Sequence, residues 1–110
     1  MKSKNRQLLE TDKDYILWLS NYRCAKCGSM SSVAVHEIVP VSHGKKSIDV
    51  TNRIALCYKC HDWAHRIGTQ NSAPKLADIR KKVVSRKFGS DDENQKAYKQ
   101  EQEINADIHG

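Results

Sequence analysis

The four cysteines of this 110-residue chain form two close pairs with the spacing of metal ligands. Cys24 and Cys27 form the first pair, which is followed by Gly28, and Cys57 and Cys60 form the second. Two C-x-x-C turns separated by a loop supply the four soft ligands that structural zinc prefers in a tetrahedral site. We therefore predict that these four cysteines bind one structural zinc ion. Paired disulfides or an iron–sulfur cluster are the alternatives.

Three histidines could form a second metal site of a different kind. His61 and His65 are four residues apart, so on a helix their imidazoles lie on one face, about 6 Å apart along the axis. His36 completes a three-histidine site if its side chain faces that helix. Such a site leaves coordination positions open for water and a phosphate oxygen. The alternatives are a pair of surface histidines, or a histidine that replaces a cysteine at the zinc.

The composition is that of a small polar domain. Only 38% of the residues are hydrophobic and 29% are charged, and a core this thin usually needs a metal or disulfides to stabilise it. The sequence has neither a secretory signal nor an apolar run near the ~20 residues of a membrane span. We therefore expect a cytoplasmic protein with no membrane partner, where reducing conditions favour a metal over disulfides.

Positive charge is concentrated in the first ninety residues. The net charge of the chain is +6, and residues 91–110 hold six acidic and two basic side chains, a net charge of −4. Residues 1–90 therefore carry +10. A basic body favours a phosphate-bearing partner, because each neutralised phosphate releases counterions. Charge alone is equally consistent with cations that only keep a small domain soluble.

The segment that holds the cysteines and histidines has the pattern of a β-loop-β-α unit preceded by a helix. Apolar side chains between positions 15 and 19 recur at helical spacing. Residues 33–39 are rich in β-branched side chains and predict a strand, and residues 53–56 predict a second, short one. A helix should then run over residues 60–67, where Gly68 ends it.

The C-terminal part predicts one basic helix and an acidic tail. Pro74 suits the first turn of a new helix, and residues 75–88 place apolar side chains on one face and cations largely on the other. The cations are Arg80, Lys81, Lys82, Arg86 and Lys87. Residues 91–110 are charged and nearly free of large apolar groups, so we expect a frayed helix or disorder there.

The order and spacing of these residues resemble the HNH endonucleases. The matching positions are the first C-x-x-C pair, Val35-His36-Glu37-Ile38-Val39-Pro40, Asn52, and Leu56-Cys57-x-x-Cys60-His61-x-x-x-His65. The resemblance covers about residues 22–67 and is strongest to the small zinc-containing HNH proteins of bacteriophages and their bacterial hosts. It implies an α+β fold with a ββα-metal (His-Me finger) core, stapled by a four-cysteine zinc site and flanked by N- and C-terminal helices.

The resemblance also implies roles within the site. The implied ligands of a catalytic divalent ion (Mg²⁺, Mn²⁺ or another transition metal) are His36, His61 and His65. Asn52 matches the asparagine that holds the loop and orients the general base. The usual base of the family is a histidine directly after the first ligand, where this chain has Glu37. A carboxylate can act as base if its pKa is raised or the metal shares the task. Alternatively Glu37 binds metal and His43 is the base, or the site is inactive.

The implied function is metal-dependent hydrolysis of DNA to 5′-phosphate and 3′-hydroxyl ends, by nicking or double-strand cleavage, in a bacterial or phage-infected cell. One alternative is a catalytically inactive zinc-binding DNA or protein adaptor. Another is a structural zinc module whose basic helix binds a protein. Contacts to DNA phosphates are expected from Lys45, Lys46, Arg53, Arg80, Lys81, Lys82, Arg86 and Lys87. A phage or host protein partner and the oligomeric state stay open.

These predictions divide the chain into four parts. They are a basic flexible leader (1–10), an HNH nuclease domain with its N-terminal helix (11–68), a basic C-terminal helix (74–89) and an acidic, mobile tail (90–110).

Overall fold

The computed structural model describes residues 10–39 and 49–109, with side chains placed for 12–39 and 49–104. Within these ranges the chain combines helices with a small two-stranded sheet. In chain order the elements are α1 (Glu10–Leu19), β1 (Ala34–Glu37), a 3₁₀ turn (Val50–Asn52), β2 (Arg53–Leu56), α2 (Tyr58–Ile67), α3 (Thr69–Lys87) and α4 (Asp91–His109). None of the described helices is both long enough and apolar enough to cross a membrane.

The antiparallel pairing of β1 with β2 decides which face of the sheet each side chain of β1 occupies. His36 lies opposite Ile54, and Glu37 lies opposite Arg53. Side chains alternate between the two faces of a strand, so His36 lies on one face while Val35 and Glu37 belong to the other. All four residues of β2 are buried, which makes this strand the centre of the core.

Two apolar clusters share β2 between them. Ile54 and Leu56 pack in one cluster with Leu76 of α3. Ala55, which lies between them and faces the other way, packs in the second cluster with α1 and with Tyr98 of α4. The apolar side chains of α1 that are buried here are Tyr15, Ile16, Trp18 and Leu19. Their spacing in the sequence predicted this packing.

Helix α3 begins at Thr69, so the predicted start of this helix at residue 74 is wrong. Gly68 has φ +84°, a conformation that L side chains rarely adopt, and there α2 ends. The N–H of Ser72 donates to the Gly68 carbonyl (2.9 Å), so a new helix begins at once. Pro74 lies inside α3, but so near its N-terminus that the missing N–H removes only one helical hydrogen bond.

The acidic segment forms helix α4, which corrects the expectation of a frayed helix or disorder. The Ser90 hydroxyl accepts a hydrogen bond from the Glu93 N–H (3.2 Å), and the acidic first turn suits the helix dipole. Asn94 and Tyr98, four residues apart, are 0% and 7% exposed. The Tyr98 hydroxyl donates to Asp14 of α1 (2.6 Å). Hydrogen bonds of polar groups hold this helix in place, and counting the large apolar residues of the sequence does not reveal such bonds.

Candidate metal centres and active site

The four cysteines converge at the junction of two turns. Their Sγ atoms all lie within 4.8 Å of one another, and all four thiols are free. The first pair lies in a turn that Gly28, at φ +81°, closes by donating its N–H to the Cys24 carbonyl (2.9 Å). The second pair begins α2, with Cys57 at its N-cap. The N–H of Ala25 donates to the Ala55 carbonyl (2.9 Å), which ties the first turn to β2.

The surroundings of these thiols fit a zinc ion. Burial raises the pKa of the Cys24 thiol, but backbone N–H groups from both turns donate to its sulfur and lower the pKa to about 7. The N–H of Cys60 lowers the pKa of the Cys57 thiol against the opposing effect of burial. A cysteine binds zinc as its thiolate. Four soft donors converge here, and the lowered pKa of two of them favours the thiolate, so the cluster could hold a structural zinc.

The three histidines form a second cluster, separate from the cysteines. The ring centroids of His36 and His61 are 4.8 Å apart, those of His36 and His65 are 5.9 Å apart, and those of His61 and His65 are 4.5 Å apart. One ligand nitrogen from each ring lies within 4.8 Å of the others. Two nitrogens bound to one ion are at most about 4 Å apart. Small rotations of the imidazoles would therefore let the cluster hold a divalent ion.

Two elements bring the histidines together. His36 is buried on β1, on the face of the sheet that packs against α2. His61 and His65 lie one turn apart on α2 and are exposed. Burial and then its two neighbours lower the pKa of His36 to about 4. Burial and His65 also lower the pKa of His61. Both rings are therefore neutral at pH 7, which is the form that binds a metal.

The histidines open into a cleft of about 400 Å³, here called the histidine cleft. Its lining residues are Val35, His36, Glu37, His61, Ala64, His65, Gly68, Thr69 and Ser72. Glu37 lines the cleft although its side chain alternates with that of His36 along β1. The first turn of α3 also borders the cleft, and a helix N-terminus favours anions. The predicted helix began only at residue 74, and the sequence pattern did not mark residues 68–72 as part of the site.

Glu37 is held by an ion pair across the sheet. The Arg53 Nη1 lies 2.7 Å from the Glu37 Oε2, as expected for residues directly opposite on paired strands. Arg53 itself is only 5% exposed. Arg53 was expected to contact DNA phosphates; that expectation is corrected, because its guanidinium is buried and paired with a carboxylate.

Asn52 forms hydrogen bonds with Val39 and so joins the residues on either side of segment 40–48. Its Nδ2 donates to the Val39 carbonyl (2.8 Å), and its Oδ1 accepts from the Val39 N–H (3.0 Å). Its own carbonyl accepts from the Ile38 N–H (2.8 Å). These bonds fix the chain directly after Glu37, which is the position from which an asparagine can orient a base. His43, Lys45 and Lys46 lie outside the described residues.

Two of the expected DNA contacts on α3 have structural partners instead. Arg80 is 7% exposed, and its guanidinium donates to both carboxylate oxygens of Asp91 (2.7 and 2.8 Å) and to the carbonyls of Arg53 (2.7 Å) and Val50 (2.9 Å). Lys87 donates to the Trp18 carbonyl and stacks on its ring. The expectation for Arg80 is therefore wrong. Lys81, Lys82 and Arg86 are exposed, and Lys82 also pairs with Asp78 (3.3 Å).

Comparison with known proteins identifies the segment that carries both clusters. No curated protein matches the chain, and no solved structure does. The family model of the HNH endonuclease matches residues 23–66, a segment that begins just before Cys24 and ends just after His65. It therefore includes every ligand of the two clusters. Residues 23–66 of this chain match the HNH endonuclease domain, and this match implies a nuclease-type function in general terms.

Proposed function

We propose that the protein is a metal-dependent DNA endonuclease whose active site is the histidine cleft. The observation that carries this proposal is the convergence of His36, His61 and His65, whose ligand atoms lie within 4.8 Å of one another. The same cleft holds Glu37. A structural zinc module has no need of three histidines beside its cysteines, because four thiolates already complete a tetrahedral site.

The catalytic core is a ββα-metal unit formed by β1, β2 and α2. In this unit β1 supplies His36, and α2 supplies His61 and His65. The four cysteines hold a structural zinc that fixes the start of α2 against the turn after α1. Zinc therefore stabilises the fold, while the histidine site remains open to water and substrate.

Glu37 acts as the general base. His36, His61 and His65 would hold a divalent ion, which would supply Lewis acidity toward the scissile phosphate and the leaving 3′ oxygen. The Glu37 carboxylate accepts a proton from the attacking water, whose oxygen bonds to phosphorus while the bond from phosphorus to the 3′ oxygen breaks. The 3′ oxygen takes up a proton from water, which gives 5′-phosphate and 3′-hydroxyl ends. The ion pair with Arg53 orients this carboxylate, and Asn52 holds the adjoining backbone. His43 is the alternative base.

Phosphate groups of DNA are the ligands that the surroundings of the cleft favour. The N-terminus of α3 borders the cleft and stabilises anions, and Lys81, Lys82 and Arg86 are exposed further along the same helix. Such contacts position the enzyme on the backbone but do not read its sequence. The enzyme would act in the cytoplasm of a bacterial or phage-infected cell.

Nicking of supercoiled plasmid tests this proposal. Purified protein should convert supercoiled DNA to the nicked or linear form with Mg²⁺, Mn²⁺ or another divalent transition metal. The matched control is His61→Ala together with His65→Ala, which should remove cleavage while the zinc content and the helical circular-dichroism spectrum stay unchanged. Equal cleavage by this variant would contradict the proposal, as would no cleavage by the native chain with any of these ions.

An inactive zinc-binding DNA or protein adaptor is the second candidate. It is favoured by the ion pair between Glu37 and Arg53 (2.7 Å), which gives the carboxylate a structural task that needs no catalysis. Such an adaptor would bind DNA or protein without cutting DNA under any of the conditions above.

A further inference from the structure

A second cleft lies beside the first cysteine turn and shares no lining residue with the histidine cleft. It has a volume of about 410 Å³ and is here called the knuckle cleft. The end of α1, the turn that holds Cys24 and the last turns of α3 line it. A water molecule occupies about 30 Å³ in the liquid. The knuckle cleft is therefore large enough for a phosphodiester group.

Apart from the Cys24 thiol, the ionisable side chains that line this cleft are all basic. They belong to Arg23, Lys26, Arg86 and Lys87. None of the described residues that line it is acidic. Glu101 influences Lys87 from outside the cleft, and burial lowers the pKa of Lys87 more than Glu101 raises it. Four cations in one concave surface create a positive potential that attracts anions.

Three of these cations are available to a ligand. Arg23, Lys26 and Arg86 are exposed. Within the part of the chain that the structure describes, the guanidinium groups of Arg23 and Arg86 form no ion pair, and Lys26 only rests on the Trp63 ring, with its Nζ 4.5 Å from the centroid. Lys87, by contrast, is fixed in the wall by its bonds to Trp18 and Asn21.

We propose that the knuckle cleft binds phosphate groups of the DNA backbone, as a second contact in addition to the histidine cleft. The proposal rests on the proposed function in one respect, which is that DNA is the ligand. A different explanation is that Arg23 and Lys26 balance the net negative charge of the proposed zinc site, in which four thiolates would surround one zinc ion. That explanation leaves no task for Arg86, which comes from α3 and joins them in the same cleft.

The salt dependence of DNA binding tests the knuckle cleft. The test variant replaces Arg23, Lys26 and Arg86 by Gln, and the matched control replaces Lys75, Lys96 and Lys99, which are exposed elsewhere, by Gln. Both variants lose three charges. Binding to a labelled duplex of about 20 base pairs is measured at several salt concentrations without added divalent ions. Each phosphate contact contributes about 0.9 to the slope of log K against log salt.

The test variant should flatten this slope by about 2 to 3, and the control by less than about 1. The proposal is overturned if the test variant flattens the slope no more than the control, or if the native chain does not bind the duplex. If the triple variant loses zinc or fails to fold, the single variant Arg86→Gln, which is remote in sequence from the cysteines, should flatten the slope by about 0.9. An unchanged slope in Arg86→Gln would also overturn the proposal.

Plasmid nicking separates this inference from the proposed function. Nicking by the native chain combined with equal slopes in the two triple variants rejects the knuckle cleft alone. A flatter slope in the test variant without any nicking by the native chain rejects the enzyme alone.

Discussion

Arg80 of α3 and Asp91 at the start of α4 form a bidentate ion pair. The Arg80 Nη1 donates to the Asp91 Oδ2 (2.7 Å), and its Nη2 donates to the Oδ1 (2.8 Å). Tyr15 of α1 donates to the same carboxylate (2.7 Å). Arg80 also holds the Arg53 carbonyl on β2 (2.7 Å). The buried guanidinium of Arg80 thus connects α3 directly to α4 and to β2, and through Asp91 it is also connected to α1. Strand β2 in turn holds Arg53, the partner of Glu37.

Asp91→Asn should destabilise the protein strongly. Removing one partner of a buried ion pair leaves the other charge without compensation, and we expect a loss of about 3 kcal/mol in the free energy of unfolding. Urea denaturation followed by circular dichroism measures it. The adjacent Asp92→Asn is the control, because Asp92 is exposed and its loss should cost less than about 1 kcal/mol. Equal losses in the two variants would mean that the pair does not stabilise the fold.

Asp91 should also make the stability of the protein depend on pH in the acid range. Burial raises the pKa of this carboxyl, but the hydrogen bonds from Arg80 and Tyr15 outweigh burial and lower it below its ordinary value. The unfolded state therefore binds the proton first as the pH falls. The contribution of Asp91 to stability is complete above about pH 4 and is lost as the pH falls through the lower pKa of the folded state.

Thermal unfolding from about pH 7 down to the lowest pH at which both proteins keep zinc measures this effect as the difference between the native chain and Asp91→Asn. Because loss of zinc would itself unfold the protein, the zinc content is measured at each pH. The difference should be constant above about pH 4 and shrink below it. A difference that stays constant down to the lowest pH would contradict the lowered pKa.

Cysteine and histidine variants should separate the two metal centres. Cys57→Ser should lose zinc and unfold, because binding of structural zinc contributes about 10–16 kcal/mol to the folded state of zinc-finger peptides at about pH 7. His61→Ala should keep one zinc per chain and the native helix content, yet bind the second divalent ion much more weakly. Elemental analysis and circular dichroism give both results. Loss of the structural zinc in His61→Ala would show that the two clusters act as one site.

Glu37→Gln should lower the rate of plasmid nicking by about 10²–10⁴-fold, the usual contribution of a general base. The amide is similar in size but cannot accept the proton of the attacking water. Glu103→Gln on α4, an exposed position, is the control and should leave the rate unchanged. A native rate in Glu37→Gln would exclude this residue as the base and leave that role to His43.

Asn52→Ala should lower the rate of plasmid nicking, while it lowers the free energy of unfolding only modestly. It removes the two side-chain bonds to Val39, at a cost of about 1–3 kcal/mol, and frees the backbone next to Glu37. Asn71→Ala is the control, because it also removes a bond from an asparagine side chain to a carbonyl, that of Ile67 (2.7 Å). Rates are compared well below both melting temperatures. Similar rates in the two variants would mean that Asn52 does not position the base.

The sequence pointed to the residues of both clusters, because much of their spacing is local. Each C-x-x-C pair needs only one turn, and His61 and His65 need only a helix between them. The family model over residues 23–66 confirms the resemblance on which the functional hypothesis rests. The sequence likewise predicted the position of β2 and of the glycine that ends α2.

The sequence did not predict α4 or the burial of the arginines. The fate of a cation depends on whether a carboxylate or carbonyl from a distant segment reaches it, and Asp91, Glu37 and the carbonyl of Val50 meet these arginines only in the folded chain. Helix α4 is held in place by Asn94 and Tyr98, whose partners lie on α3 and α1. Amino-acid composition does not predict such contacts between segments that are distant in the sequence.

The sequence by itself therefore determined which residues are able to bind metal, since ligand chemistry and short spacings are local properties. Only the tertiary structure decided that His36 lies on the side of the sheet that faces α2, because that depends on the register between β1 and β2. It also decided which cations remain exposed. Arg53 and Arg80 became structural because the fold buries them beside acceptors, while Arg23, Lys26 and Arg86 came together in one cleft.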